Sequence, residues 1–114
     1  MIVRKLESTI PYAGGGKGLY REKTVPVKSL PPNAWGLYEM HGNVWEWCLD
    51  GLRHYRSEPE TDPIGPLESG ADRVLRGGSW LNFARGARAA CRNRSRPGDR
   101  RNRGIGFRCS RVQS

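Results

Sequence analysis

Glycine and proline interrupt this chain so often that long helices and long strands have little room to form. There are 15 glycines and 8 prolines among 114 residues, and 36% of the residues are hydrophobic. Glycine weakens the interior of regular elements, and proline removes a backbone donor. The composition therefore predicts a loop-rich fold with short strands rather than a helical bundle. Because the length suits one domain, we expect residues 1–114 to fold as a single unit.

Local patterns predict short elements separated by loops. Asn33 is suited to begin a short helix that extends to Met40, because asparagine is a good N-cap. After a turn at Gly42-Asn43, the aromatic and β-branched run from Val44 to Leu49 predicts a strand. The remaining predictions are an irregular edge strand over Thr24–Val27, a surface loop over 51–72, a strand over Arg73–Arg76, a helix over 84–92, a loop over 93–104 and a final strand over Ile105–Val112.

Positive charge is concentrated at the C-terminal end of the sequence. Residues 73–114 contain 12 arginines, no lysine and a single acidic residue, Asp99. Such a block could bind phosphate backbones or an acidic macromolecular surface. It contains no recognisable nucleic-acid-binding motif and few aromatic residues for base stacking. An acidic protein or other macromolecule is therefore the expected partner rather than nucleic acid, and a solvated arginine-rich face is the plain alternative.

Three cysteines, Cys48, Cys91 and Cys109, are present, and an odd number argues against a closed disulfide framework. There is no CxxC pair, and the two histidines do not have zinc-ligand spacing, so we expect no zinc. No run approaches the roughly 20 apolar residues that span a bilayer. The first ten residues lack the apolar centre of a secretory signal. We therefore expect a cytoplasmic protein with no membrane attachment.

Three blocks follow one another along the chain. They read PPNAWGLYEMHGNVWEW over 31–47, RVLRGGSW over 73–80 and GFR over 106–108. Together they resemble the signature of the formylglycine-generating-enzyme (sulfatase-modifying factor) superfamily over about residues 24–112. The resemblance implies a C-type-lectin-like α+β fold with short strands, one or two helices and much irregular loop. The usual family domain has a longer N-terminal part, so a fragment of a larger domain and a homo-oligomer both stay open.

The same resemblance implies a calcium site in the first block. Its ligands would be the side chains of Glu39 and Glu46 and the backbone carbonyls of Gly42 and Val44. Calcium binds several hard oxygen ligands and accepts a mixture of carboxylates and carbonyls. The alternative is that Glu46 makes a buried hydrogen bond and Glu39 is simply exposed.

The oxidase of this family converts a cysteine of a sulfatase peptide to formylglycine with two nearby cysteines that bind copper. Thiolates are soft ligands that suit Cu(I). Between Ser79 and Arg108 this chain has only Cys91, and Gly86 or Ala87 stands four or five residues before it. The resemblance therefore implies that the copper site is incomplete. We expect no copper and lean towards a protein that is not an enzyme.

Residues 81–104 have a restricted composition between positions that have the character of a scaffold. Each restricted residue can be encoded by a codon that ends in C and has randomised first and second bases. Asparagine, for example, becomes leucine, arginine or glycine when its template adenines change. The candidate variable, ligand-binding residues are Leu81, Asn82, Phe83, Gly86, Cys91, Asn93, Arg94, Ser95, Arg96, Gly98, Asp99, Arg101, Asn102, Arg103 and Gly104.

This segment resembles the C-terminal variable region of proteins diversified by diversity-generating retroelements, which commonly use the same lectin-like scaffold. The resemblance implies a prokaryotic or phage protein that displays a variable ligand-binding patch. Trp80 and Phe107 would then be buried beneath the patch. The alternatives are an ordinary polar loop in a non-catalytic member of the enzyme family, and a working enzyme of that family.

Overall fold

The computed structural model describes residues 22–82, 84–99, 103–111 and 113. Its elements are β1 (Trp45–Gly51), β2 (Arg73–Arg76), a 3-10 helix (Ala84–Ala87), β3 (Asn93–Ser95) and β4 (Ile105–Gly106). The four strands form one sheet in the order β3-β2-β1-β4. β2 pairs antiparallel with both β1 and β3, whereas β4 lies parallel to β1.

The centre of the core lies where β1, β2 and the 3-10 helix meet. The buried hydrophobic side chains there are Trp45, Val74, Leu75 and Ala87, and Leu75 is only 1% exposed. The register between β1 and β2 shifts between Trp47 and Gly51, which marks an irregularity in the longer strand. A bulge of this kind bends a strand and re-aims its side chains. The buried hydrophobic core of the described residues is therefore small, and β1 bends beside it.

Glycine lets the segment after β2 approach the core closely. Gly78 has a positive φ of 74°, and a Cβ added there would lie 2.9 Å from the backbone N and Cα of Ala87. A larger residue would have both the wrong backbone conformation and no space. Next to it, the carbonyl of Gly77 accepts the N–H of Gly42 at 2.6 Å. The turn after β2 thus holds the 3-10 helix and the 41–43 turn together.

The predictions of β1 and β2 are confirmed, whereas the prediction of a helix after Asn33 is wrong. Gly42 and Asn43 have φ values of 91° and 62°, which makes the predicted turn, and β1 and β2 follow as expected. The residues after Asn33 form a turn instead of a helix. The Asn33 side-chain oxygen accepts the N–H groups of Trp35 and Leu37, at 2.9 and 3.0 Å. Asparagine often competes with helix formation in this way.

The edge strand expected over Thr24–Val27 does not form. Val25 donates its N–H to the side-chain oxygen of Asn43 at 3.0 Å, and its carbonyl accepts the Asn43 amide at 3.3 Å. A side-chain amide therefore takes the place of a neighbouring strand.

The second half of the chain differs more from its predictions. The helix expected over 84–92 is a 3-10 helix of four residues, since an isolated short helix is marginal and Gly86 weakens it further. The loop expected over 93–104 contains β3, which gains its hydrogen bonds from β2. The final strand is reduced to β4. In the part of the chain that the structure describes, no helix is long and apolar enough to cross a membrane.

Two aromatic residues expected in the core are placed differently. Phe107 is 78% exposed, because β4 ends at Gly106 and the chain then leaves the sheet. Trp80 is half-buried. Its indole nitrogen is buried and has no hydrogen-bond partner among the described residues. The expectation of a buried Phe107 is therefore wrong, and Trp80 is only partly covered.

Candidate functional site

The 81–104 segment begins with a residue that is tied to the core. The indole N–H of Trp45 donates to Oδ1 of Asn82 at 2.6 Å, and the hydroxyl of Ser79 donates to the same oxygen at 2.6 Å. Ser79 is buried, and so is Trp45. A Cβ added to Gly86 would touch the Trp45 ring at 3.6 Å. This end of the segment is therefore shaped by the framework beneath it.

Two side chains of the framework hold the middle of the segment by its carbonyl groups. Nδ1 of His41 lies 2.6 Å from the carbonyl oxygen of Ala87. Because a carbonyl only accepts, Nδ1 must carry the hydrogen. From β2, Arg76 donates to the carbonyls of Ala89 and Cys91, at 2.9 and 3.2 Å. These bonds fix the backbone and leave the side chains of the segment free to differ.

The predicted variable residues divide into an outer and an inner group. The outer group is exposed and consists of Leu81, Asn93, Arg94, Arg96, Gly98, Asp99 and Arg103. The inner group is half-buried or buried and consists of Asn82, Gly86, Cys91, Ser95 and Gly104. Phe83, Arg101 and Asn102 lie outside the described residues. Among the described members of the set, the outer group is therefore the more accessible to solvent.

The arginines of the outer group are weakly held. Arg94 and Arg96 approach the carboxylate of Asp72 at 3.4 and 3.7 Å, and their side chains are 63% and 77% exposed. Exposed pairs of this length contribute little stability. Both residues lie on or next to β3, which is an edge strand of the described sheet. Their guanidinium groups are therefore accessible to a partner.

Three of the four residues of the predicted calcium site line one cleft. Glu39, Val44 and Glu46 line a cleft of about 400 Å³ together with Arg108 and other residues. Gly42 is not part of this lining, and it donates its N–H to the carbonyl of Gly77 in the turn after β2. The structure thus brings the two predicted carboxylates to one place.

Both carboxylates already have partners within the chain. The two oxygens of Glu39 accept the backbone N–H groups of Lys28 and Leu30, at 2.9 and 3.0 Å. Those of Glu46 accept Nε and Nη2 of Arg108, at 2.9 and 2.8 Å. Two parallel bonds of this kind are a strong form of charge-assisted pairing. Glu39 is half-buried and hydrogen-bonded rather than simply exposed.

Arg108 is the cation of this cleft that binds Glu46, and Lys28 also lines the cleft. Nη2 of Arg108 also donates to the carbonyl of Tyr38 at 2.7 Å, and the hydrogen bonds to Glu46 raise the pKa of the Arg108 guanidinium above its usual value. A calcium ion would need the oxygens that the guanidinium holds. In this arrangement the residues do not fit an ion, and calcium binding stays a prediction that requires Arg108 to move away.

The cysteines are reduced and differ in exposure. Cys48 and Cys91 are half-buried, whereas Cys109 is exposed. Burial raises the pKa of the Cys48 thiol, and the negative charge of Asp50 adds to the effect. Across the described ranges there is no group of three or more histidine, cysteine, aspartate or glutamate side chains that could hold a metal.

Two features of the site were missed by sequence reasoning. The pair of Glu46 and Arg108 joins the first and third blocks across 62 positions. The opposite charges of the blocks were visible, but nothing in the sequence showed that they meet. The bond from Trp45 to Asn82 is not apparent from the sequence, because Asn82 has one of the residue types expected at a variable position.

Residues 9–113 match the family described as the sulfatase-modifying factor enzyme 1-like domain. The chain belongs to this family. It is 46% identical over 92 residues to the formylglycine-generating enzyme of Streptomyces coelicolor, an alignment that covers 76% of this chain and 29% of that enzyme.

Two solved structures share the fold. Treponema denticola variable protein 1 superposes with a TM-score of 0.64 and 39% identity, over 82% of this chain and 33% of that one. PvdO of Pseudomonas aeruginosa gives a TM-score of 0.64 and 40% identity, over 75% and 33%. The expected C-type-lectin-like fold of the formylglycine-generating-enzyme type is confirmed, as is the resemblance to a variable protein. This family domain spans about a third or less of the length of these three relatives.

Proposed function

We propose that the chain is a non-catalytic display scaffold that binds a macromolecular ligand through the outer group of the 81–104 segment. One observation carries the proposal: inner positions of the segment are bonded to the framework, while the outer side chains are exposed. Asn82 and Cys91 of the inner group accept hydrogen bonds from Trp45 and Arg76 of the framework, at 2.6 and 3.2 Å. Leu81 and Arg94 stand outside it. Such a division allows the binding surface to change while the core stays the same.

The comparison with Treponema denticola variable protein 1 supports this proposal, since its likeness extends over most of this chain. The restricted composition of residues 81–104 points the same way. The three further members of the candidate set, Phe83, Arg101 and Asn102, belong to the proposal on their sequence alone.

The charge of the segment favours an acidic partner. Arg94, Arg96 and Arg103 are exposed, and Asp72 partly neutralises only the first two. A positive surface attracts acidic partners over a distance and raises their association rate. Leu81 adds an apolar contact at the beginning of the segment. An acidic protein surface therefore suits the outer group better than a neutral one.

The test is to sequence this gene in many members of its source population and count substitutions by position and template base. We expect changes to cluster at the outer positions, in codons derived from template adenines. The codons for Gly77-Gly78-Ser79-Trp80 and Gly106-Phe107-Arg108 should stay constant. Variation spread evenly over the gene, or an invariant segment, would contradict the proposal.

A second candidate is an oxidase of the formylglycine-generating type, which the 46% identity to the Streptomyces coelicolor enzyme favours. Cys91 would have to act with a thiolate from elsewhere, because no second cysteine lies between Ser79 and Arg108. The test is to incubate the chain with copper, oxygen and a cysteine-containing sulfatase peptide and to look for formylglycine by mass spectrometry. Turnover that disappears in Cys91→Ala would establish this candidate.

A further inference from the structure

A second cleft lies near the end of β1, and its lining contains no residue of the outer group. It has a volume of about 610 Å³, and one side is formed by Arg53, His54 and Arg56. Glu60 and Thr61 line it as well. Cavities of a few hundred cubic ångströms are typical of small-molecule sites. No residue of this cleft belongs to the predicted variable set or to the predicted calcium site.

The part of the lining formed by Gly65 and Pro66 is held against the end of β1 by its backbone. Gly51 donates its N–H to the carbonyl of Ile64 at 2.7 Å. A Cβ added to Gly51 would lie 1.7 Å from the carbonyl oxygen of Pro66, so the two backbones are in direct contact. Gly65 has a positive φ of 65°, and a Cβ added to it would lie 2.5 Å from the carbonyl oxygen of Gly51. This contact requires glycine and gives the cleft a preformed wall.

The charged side of the cleft is also braced. Arg92 donates to the carbonyl of Arg53 at 3.0 Å, and its guanidinium stacks 3.9 Å above the ring of Tyr55. Arg53 in turn forms an ion pair of 2.7 Å with Glu60. This pair neutralises the one acidic side chain among the described residues that line the cleft.

Arg56 and His54 complete the positive side. Both are exposed, and neither makes an ion pair or a side-chain hydrogen bond with another residue in the described parts of the chain. Arginine offers several N–H donors in a planar arrangement that suits carboxylate and phosphate oxygens. An anion that enters the cleft would meet Arg56 directly and could compete with Glu60 for Arg53.

We infer that this cleft is a binding site for a small molecule that carries an oxyanion, either a phosphate or a carboxylate group. Arg56 binds the oxyanion, Arg53 shares its guanidinium between the ligand and Glu60, and Arg92 holds Arg53 in place. The site is independent of the proposed display function, because it uses no residue of the outer group.

The test is titration of the ¹⁵N-labelled full chain with inorganic phosphate and, separately, with succinate. The amide signals of Thr61 and Gly65 should shift with at least one of the two anions, and the anion that binds more tightly identifies the oxyanion class. Arg56→Gln should weaken this binding about three- to tenfold, as expected for loss of one partly exposed charged contact. Arg111→Gln removes the same charge from another exposed position and should leave the affinity nearly unchanged.

A second variant tests the proposal in the opposite direction. Glu60→Gln frees Arg53 from its ion pair and should tighten binding several-fold, whereas Glu68→Gln, at an exposed position outside the cleft lining, should not. Both variants raise the net charge equally. Absence of shifts with both anions would overturn the inference. Equal effects of the cleft variants and their controls would overturn it too, because they would show attraction to the overall positive charge alone.

Discussion

The indole N–H of Trp45 and the side-chain oxygen of Asn82 form a hydrogen bond of 2.6 Å that ties β1 to the second residue of the 81–104 segment. Ser79 donates to the same oxygen. Because Trp45 is buried, this bond satisfies a donor that has little access to water. Asn82 therefore serves the framework, although its residue type is one of those expected at a variable position.

Replacing Asn82 by alanine should destabilise the protein by about 1–3 kcal/mol, the usual cost of leaving a buried donor without a partner. The free energy of unfolding, measured by urea denaturation, checks this value. Arg94→Ala is the matched control in the same segment and should stay within about 0.5 kcal/mol of the parent, since Arg94 is exposed. Equal and small effects of the two variants would show that Asn82 is as free as the outer group.

Truncation of Leu75 should cost more stability than truncation of Phe107, although phenylalanine is the larger residue. Leu75 is 1% exposed and Phe107 is 78% exposed. Leu75→Ala should cost about 2–5 kcal/mol, as for a buried leucine. Phe107→Ala should cost less than about 1 kcal/mol, because little apolar surface returns to water. Thermal unfolding of both variants checks the comparison, and a larger loss from Phe107→Ala would mean that Phe107 is covered in solution.

Local chemistry explains which elements could be predicted. β1 and β2 combine aromatic or β-branched residues with flanking glycines, so their short-range signals agree with their tertiary environment. Asn33 has the residue type of a helix N-cap, but its side chain closes a turn that no helix follows. β3 has the polar sequence of a loop and becomes a strand only because β2 offers it a partner.

The candidate site, too, could be predicted from the sequence only in part. Grouping Glu39 with Glu46 was possible because both lie in one block, and the structure does place them at one cleft. Their partners come from elsewhere in the chain: Lys28 and Leu30 for Glu39, and Arg108 for Glu46. A sequence pattern indicates the residue types of a site, but contacts between distant parts of the chain decide which groups each carboxylate binds.

The three cysteines should react at different rates with a thiol-specific reagent. A raised pKa leaves less of the Cys48 thiol ionised at any pH below that pKa, and the thiolate is the nucleophile. Cys48 should therefore be alkylated by iodoacetamide more slowly than the exposed Cys109, and its rate should still be rising with pH above 8.5, the usual value for a free cysteine. Peptide mass spectrometry over a pH series measures both sites in one sample. Cys48 reacting as fast as Cys109 in folded protein would contradict the burial.

Arg108 should stabilise the protein through its ion pair with Glu46. Its removal should allow calcium to bind in the cleft. Arg108→Gln leaves a half-buried carboxylate without its cation, and we expect a loss of about 1–2 kcal/mol after allowing for the partial exposure of both groups. The raised pKa of the Arg108 guanidinium keeps it charged at ordinary pH, so raising the pH does not break the pair. Arg111→Gln is the control for the loss of one positive charge.

Adding calcium to the parent protein and to Arg108→Gln tests the predicted calcium site directly. A ligand that binds only the folded state raises its stability in proportion to occupancy. In the parent protein the guanidinium holds both oxygens of Glu46, so added calcium should change the melting temperature very little. In Arg108→Gln the carboxylates of Glu46 and Glu39 face the cleft without that cation, and calcium should restore part of the lost stability. Strong stabilisation of the parent by calcium would show that the ion displaces Arg108. If calcium changes the melting temperature of neither protein, the prediction that calcium binds in this cleft is wrong.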